Sequence, residues 1–509
     1  MNKTKNQTGN KFTGCDICSR KSKRICPVLG GSICTACCGT NRGSKLDCPP
    51  LCPFFPFGTD AYDQWLKVDG TWFPKALKYV LSRLTFQGFE EAVQRLSMGT
   101  QSDEETREES GGVHAVHYFF GVNTDESGRT LADHWEQEGW RGLNNDERVM
   151  SKYRRHTLPT IIEIQKTLCD QAMECFDVLD PARGKFLLFD RATAARAVRF
   201  TRFLTWITHY PHFCRLAGMG LEVSSHVFEE FSELLAEAVA GEPDIDEVPA
   251  AKRHLAENFA QWCDRIGQLS VERRERMVRS LDAYHCRAWY AFQVERSRIA
   301  EVLAAKPDFE LDEDHDGEPE DPPDTEYYDW LRLGEAKEIE RDMVATFRYD
   351  SEDDGVGVLG SVRFYADSMM IETLGKKKFV FAKKLVARYF GKRVAFSKEQ
   401  VDDLSEHVRR PEHAERNEPT SPEPEIPPDV EEQLMAQVYR SHYRKFLEDS
   451  IPALDGLTPR QAASEPQMRP RLIELMKSHL HGIEENSRRK GIALDINWVI
   501  EELGLDELL

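Results

Sequence analysis

The chain has no apolar run approaching the ~20 residues that a membrane-spanning helix needs. Its first residues, Met1 to Lys11, are polar and lack the apolar core of a secretory signal, so a cytosolic location with reduced thiols is expected. Positive charge is in short supply: 67 Lys and Arg face 87 Asp and Glu, a net charge of −20. That balance excludes a chain that coats nucleic acid over its whole surface. The common catalytic signatures are missing as well, with no H-E-x-x-H, no G-x-S-x-G and no phosphate loop. Gly355-Val-Gly-Val-Leu-Gly360 has the spacing of a dinucleotide fingerprint, but an acidic run precedes it and a strand pattern follows, the reverse of the required order. No internal repeat occurs.

Cysteine is nearly absent from most of the chain. Cys169, Cys175, Cys214, Cys263 and Cys286 are scattered through periodic or apolar segments and are expected to be buried small hydrophobes. The other eight of the thirteen fall between Cys15 and Cys52. Their spacing is Cys15-x2-Cys18, Cys26, Cys34-x2-Cys37-Cys38 and Cys48-x3-Cys52. Pairs two or three residues apart let one short turn present two thiolates to one ion, and zinc takes four such ligands in a tetrahedron. Eight thiolates therefore suit two zinc ions. Neighbouring Cys37 and Cys38 cannot easily serve one tetrahedron, which suggests an interleaved partition: Cys15, Cys18, Cys34 and Cys37 on one ion, Cys26, Cys38, Cys48 and Cys52 on the other. A closed shell of four thiolates is structural, because no position is left for a reacting water. So small a module, 13–58, must draw much of its folding free energy from the metal.

The same module gathers basic residues. Nine Lys and Arg between residues 1 and 45 are opposed only by Asp16. Arg20, Lys21, Lys23 and Arg24 form the densest run, which can touch phosphate or grip an acidic segment. A second basic cluster (Lys376, Lys377, Lys383, Lys384 and Arg388) lies on a helix pattern from Lys376 to Phe390. The helix's apolar face is Phe379, Ala382, Leu385, Val386 and Tyr389. Two basic surfaces leave nucleic acid as an alternative partner to protein.

With 40% hydrophobic and 30% charged residues, the remainder is expected to fold as an α+β multidomain protein. A helical segment spans 60–98, with Pro74 starting its longer helix. The polar, glycine-bounded stretch 99–112 reads as a linker and Val113–Val122 as a strand. A mixed α+β body fills 113–305. Within it, Cys175–Leu179 and Lys185–Phe189 flank the turn Asp180-Pro-Ala-Arg-Gly184 as a hairpin, 203–210 reads as a third strand, and 192–208 fits a helix as well. Residues 225–240 and 250–305 read as helical. Between Asp308 and Asp329 there are twelve acidic residues and no Lys or Arg, so 306–339 reads as an acidic linker. A ββα unit follows over 340–397, with strands at 356–365 and 369–374 and Gly391 at the helix stop. A linker spans 411–429, and a helical interaction domain spans 430–509, with Thr458 as an N-cap before Pro459. His209-x2-His212 and His114-x2-His117 read as structural, since residues three apart on a strand point to opposite faces. Asp170, Glu174, Asp177, Asp180 and Asp190 read as solvated carboxylates around the hairpin.

Three segments resemble known families. Cys26-Pro-Val-Leu-Gly-Gly-Ser-Ile-Cys-Thr-Ala-Cys-Cys-Gly39, with Arg42 and Cys48-Pro-Pro-Leu-Cys-Pro53, looks like a cysteine-rich head of uncharacterised bacterial proteins. Leu143 to Val223, centred on Phe176-Asp-Val-Leu-Asp-Pro-Ala-Arg-Gly184, is similar to a module of bacterial proteins that carry SEC-C zinc motifs. Phe446-Leu-Glu-Asp-Ser-Ile-Pro-Ala-Leu-Asp-Gly-Leu-Thr-Pro-Arg-Gln-Ala462 resembles the toxin-binding domain of Xre/ParS-type antitoxins. Together these resemblances imply a bacterial zinc-binding interaction protein and supply no catalytic residue.

Overall fold

The computed structural model describes residues 13–99, 103–244, 249–280, 282, 284–312, 321–339, 346–348, 356–404, 435, 439–491 and 494–509. It is an α+β protein whose contacts divide it into two units, one of residues 1–270 with 424–509 and one of 271–423. The division falls at Ser270, inside the segment expected to form one body. The expected linker 411–429 lies outside the described residues.

The first unit begins with two short antiparallel pairs, β1 (Thr13–Gly14) with β2 (Lys21–Ser22) and β3 (Arg24–Cys26) with β4 (Gly31–Ile33), followed by α1 (Thr35–Asn41). Helices α2 (Tyr62–Leu81) and α3 (Phe86–Arg95) follow. Pro74 lies inside α2 rather than at its start. The expected linker and strand over 99–122 are instead one helix, α4 (Glu104–Gly121), capped by Asp103. Two of its three glycines are contact points, not joints. A Cβ on Gly111 would lie 2.3 Å from the Val93 carbonyl oxygen of α3, and one on Gly121 would lie 2.2 Å from that of Arg155. Close helix packing, which requires glycine there, mimics linker composition. Helices α5 (Leu131–Gln137) and α6 (Asn145–Arg154) each start with a capping box, at Thr130/Asp133 and Asn144/Glu147.

A closed barrel follows. Strands β5 (Leu158–Cys169), β6 (Ala172–Asp177), β7 (Lys185–Phe189), β8 (Arg202–His209) and β9 (Cys214–Leu216) pair in the order β8-β5-β6-β7-β9, and β9 returns to β8. The hairpin β6–β7 is where the sequence places it. Helix α7 (Arg191–Ala194) is short, so 203–210 is strand and the helical alternative over 192–208 does not form. Ile162, Ile164, Met173, Cys175, Leu188, Ile207 and Cys214 fill the interior. Ile161, Leu204 and Trp206 alternate outward and join the large core built with the helices. Strand β10 (Leu221–Glu222) extends β8, and α8 (Ser225–Ala238), α9 (Ala250–Glu257) and α10 (Phe259–Ser280), as far as Ser270, complete this part.

The second unit is an antiparallel sheet with helices on one face. Residues 284–292, expected to be helical, form β11 (Tyr284–Phe292), followed by α11 (Arg296–Ala304). Its alternating Cys286, Ala288 and Tyr290 face the core, a period of two that a helical reading overlooks. The expected acidic linker contains β12 (Phe309–Leu311) and β13 (Glu326–Leu331). Two of its described carboxylates act as hydrogen-bond acceptors within the fold. Buried Asp308 accepts from the Ala336 N–H and the Tyr389 hydroxyl, and Asp321 accepts from Tyr327, Tyr365 and Arg363. Next come β14 (Thr346–Arg348), β15 (Val356–Phe364), β16 (Ser368–Leu374), α12 (Lys376–Phe390) and β17 (Val394–Asp403). The expected ββα elements are therefore present but do not stand alone: β11 pairs with β16 and β17, and β13 with β15, giving the order β12-β13-β15-β16-β11-β17. The predicted inward face of α12 is buried against the sheet, and Gly391, at φ 54°, ends the helix.

The chain then returns to the first unit as α13 (Pro459–Ser464), α14 (Arg469–Lys490) and α15 (Asn497–Glu502), with the Thr458/Gln461 capping box ahead of Pro459. Phe200, in a left-handed conformation at φ 64°, is buried in the core of these helices. Beside it a charged cluster ties them to the barrel: buried Arg202 pairs with Glu163 and Glu474, and Lys477 Nζ lies 2.8 Å from Glu163.

Candidate metal centre

The sequence folds each candidate metal-binding turn locally. Cys15 and Cys18 sit on a tight turn in which the Ser19 N–H donates to Cys15 O and the Cys15 N–H to Arg20 O, with Ser19 at φ 60°. The Asp16 N–H donates to Ser32 O, which fastens this turn to β4. At the other end of β4, Cys34 is the N-cap of α1, and its sulfur accepts from the Cys37 N–H at 3.4 Å. One turn and one helix start thus face each other across a short strand.

The sulfurs of Cys15, Cys18, Cys34 and Cys37 all lie within 4.8 Å of one another. The Cys18 and Cys34 sulfurs are 3.6 Å apart. A tetrahedron with metal–sulfur bonds of about 2.3 Å has edges of about 3.8 Å, so the cluster fits a single ion. All four cysteines are free thiols, with no disulfide among them. These are the four that spacing assigned to one ion.

The local electrostatics favour proton release from part of the set. The hydrogen bond from the Cys34 backbone is the chief influence that draws the Cys15 thiol down to about 6. The Cys37 N–H lowers Cys34 in the same way. Cys37 itself is pushed up to about 12, chiefly by its hydrogen bond with the Cys18 side chain. A bound dication would displace the protons that these thiols share.

The second expected set is arranged differently. Cys26, Cys38, Cys48 and Cys52 are all buried in the same core. Turns closed by the Gly30 N–H on Cys26 O and the Cys52 N–H on Pro49 O present them. Burial raises the Cys48 thiol, and the neighbouring Cys52, Cys38 and Cys26 push the same way. Cys37 and Cys38 lie on the same helix, one in each set. Among the described residues, only the first set closes to metal-ligand spacing.

The basic residues lie outside both sets. Arg20, Lys21 and Lys23 are exposed, and Arg24 stacks on Phe54 at 4.5 Å. On α12, Lys376 lies 3.4 Å from the Tyr284 ring centroid, Lys383 pairs with Glu399 at 2.8 Å, Arg388 pairs with Glu335, and the Lys377 N–H donates to Asp282. Lys384 is exposed. Lys383 and Arg388 of the positive face of α12 are thus paired with carboxylates of their own unit.

Several buried polar groups have no clear signal in the sequence. Asp177, expected on a solvated face, is fully buried at one end of the barrel. There it accepts from Thr160, the Leu179 N–H and Lys252 of α9. At the same end Cys214 Sγ lies 2.7 Å from His209 Nδ1. Burial pulls His209 down to about 3 and pushes the Cys214 thiol upward, so the pair is neutral and offers no thiolate nucleophile. His212 instead reaches Cys48 O at 2.8 Å. His114 and His117 share a helix, so the strand argument does not apply to them. Both are buried, His114 bonded to Leu96 O at 2.7 Å and His117 facing Trp72 and Arg154. Of the scattered cysteines, Cys169 is exposed and the other four are buried.

The chain matches no protein-family model, and neither the curated proteins nor the solved structures contain a match.

Proposed function

We propose that the protein is a zinc-stabilised adaptor: a metal-bound head and a helical C-terminal domain engage protein partners, and the barrel holds them in one unit. The observation that carries the reading is the closed set of four sulfurs, all within 4.8 Å. Four thiolates complete the shell of one ion and leave no site for substrate or water, so the metal's role is to fold the head. The spacing suits one zinc ion better than an iron–sulfur cluster, which needs a cavity for several atoms between its ligands. A second ion bound by Cys26, Cys38, Cys48 and Cys52 completes the reading: four thiols buried together are suited to metal binding once their sulfurs draw inward around an ion. The resemblance of the C-terminal segment to a toxin-binding domain, and the docking of α14 on the barrel, favour a helical interaction surface at that end.

Cobalt substitution tests the site. Replacing the bound metal with Co(II) should give the intense sulfur-to-cobalt charge-transfer band and the visible absorption pattern of a four-sulfur tetrahedron. A six-coordinate spectrum, or no cobalt uptake, would sink the reading.

A further inference from the structure

The head carries an unusual surface for so small a module. Ile17 is 48% exposed, Ile25 66%, Val28 42% and Leu29 40%. Residues this apolar normally seek a core, and single exposed aliphatics need no explanation, but a cluster does. Here four fall within thirteen residues, on connected elements. Ile25 lies on β3, Val28 and Leu29 lie on the turn that joins β3 to β4, and Ile17 lies on the metal turn whose Asp16 N–H donates to Ser32 of β4. Ser32 is the cross-strand partner of Ile25. Metal binding would hold this surface rigid, since Cys15, Cys18 and Cys34 lie on the same elements.

The strand beneath it has room for a neighbour. Among the described residues, β3 belongs to a two-stranded sheet and pairs only with β4, leaving its outer edge open. Soluble proteins generally cover or charge such an edge. Charge lies close to this edge in the chain: Arg20, Lys21 and Lys23 precede Arg24 and Ile25 of β3. An open edge, a cationic run followed by exposed aliphatic side chains, and a rigid scaffold are the elements of recognition by strand addition, in which main-chain hydrogen bonds supply affinity and the flanking side chains supply specificity.

We infer that β3 is a docking strand for an extended acidic segment of a partner protein that also carries aliphatic residues. The inference rests on the adaptor reading and gives its partner a chemistry. Charge complementarity sets the acidic requirement, and Ile25, Val28, Leu29 and Ile17 set the aliphatic one. Nucleic acid fits the charge but not the rest of the surface. Single strands are held largely by stacking on exposed aromatic rings, whereas the exposed large apolar residues of this head are aliphatic, and Phe55 and Phe57 are buried.

The test uses the full-length, metal-loaded chain and a fluorescein-labelled peptide of about ten residues alternating Glu with Leu or Val, long enough to span one strand. Fluorescence anisotropy should show saturable binding. Ile25→Lys should weaken it by about tenfold or more, as loss of a central apolar anchor does, with metal content unchanged. Reversing charge with Arg20→Glu and Lys23→Glu should weaken it further at low salt. The inference is overturned if a Glu–Ser peptide binds as tightly, if no peptide binds, or if a single-stranded oligonucleotide of equal charge binds more tightly and ignores Ile25→Lys. A metal-loaded protein that binds no peptide would defeat the docking strand alone. A protein that takes up no metal would defeat the adaptor reading itself.

Discussion

Lys252→Met removes the cation that pairs with Asp177 at one end of the barrel. Lys252 is 4% exposed and Asp177 is 0% exposed, with Nζ 2.6 Å from Oδ2. The other Asp177 oxygen accepts from the Thr160 hydroxyl at 2.5 Å and the Leu179 N–H at 3.1 Å. In the variant, Asp177 keeps those two bonds but loses its counter-ion where water cannot replace it. Breaking one half of a buried ion pair costs about 3–5 kcal/mol, because the remaining charge is left uncompensated. Removing both charges should cost far less: Lys252→Met with Asp177→Asn keeps an amide oxygen for Thr160 and Leu179 and should recover about half the loss or more. Hydrogen exchange of the β5, β6 and β8 amides, followed in the full chain, reads barrel opening directly. A single variant that costs less than about 1 kcal/mol, the range of exposed ion pairs, would refute the reasoning. So would a double variant as unstable as the single one.

Three further outcomes are expected. Burial pulls His114 down to about 4 from its ordinary 6.5, so the folded state resists protonation. Its contribution to stability is complete above pH 6.5 and is lost progressively as pH falls towards 4, by about 3 kcal/mol; His114→Gln should flatten that part of the urea-midpoint profile against pH. Gly111→Ala should cost about 1–3 kcal/mol despite the better helix propensity of alanine, because its Cβ meets the Val93 carbonyl; thermal unfolding measures it. Chelation of the metal should strip hydrogen-exchange protection from amides 15–34 while leaving the barrel amides protected, since the head has little apolar mass of its own; equal loss in both would contradict a metal role confined to the head.

The sequence was most legible where chemistry is local. Paired cysteines on short turns identify which thiols can share an ion, because a turn of two or three residues fixes which sulfurs converge. Thr458-Pro459 and the Asp180–Gly184 turn likewise act through neighbours in the chain, and both are where the sequence places them. Readings failed where distant residues decide. Gly111 resembles part of a linker until Val93 of another helix is seen to require the absence of a side chain there. The acidic run at 308–329 looks solvated until Asp308 and Asp321 are matched with Tyr389, Tyr365 and Arg363 from remote strands. The barrel was hidden because its closure rests on β8 meeting β9, a contact of three residue pairs. Lys252 carries no sign in the sequence that its partner is Asp177, seventy-five residues earlier.

The most direct test of the account is native mass spectrometry of the intact chain, purified without added metal or chelator, alongside Cys34→Ser and Cys48→Ser variants. The account predicts two zinc ions on the parent chain, with each variant losing one. An iron–sulfur mass increment, a metal-free parent chain with its head still protected from exchange, or a zinc content that neither substitution changes would contradict it.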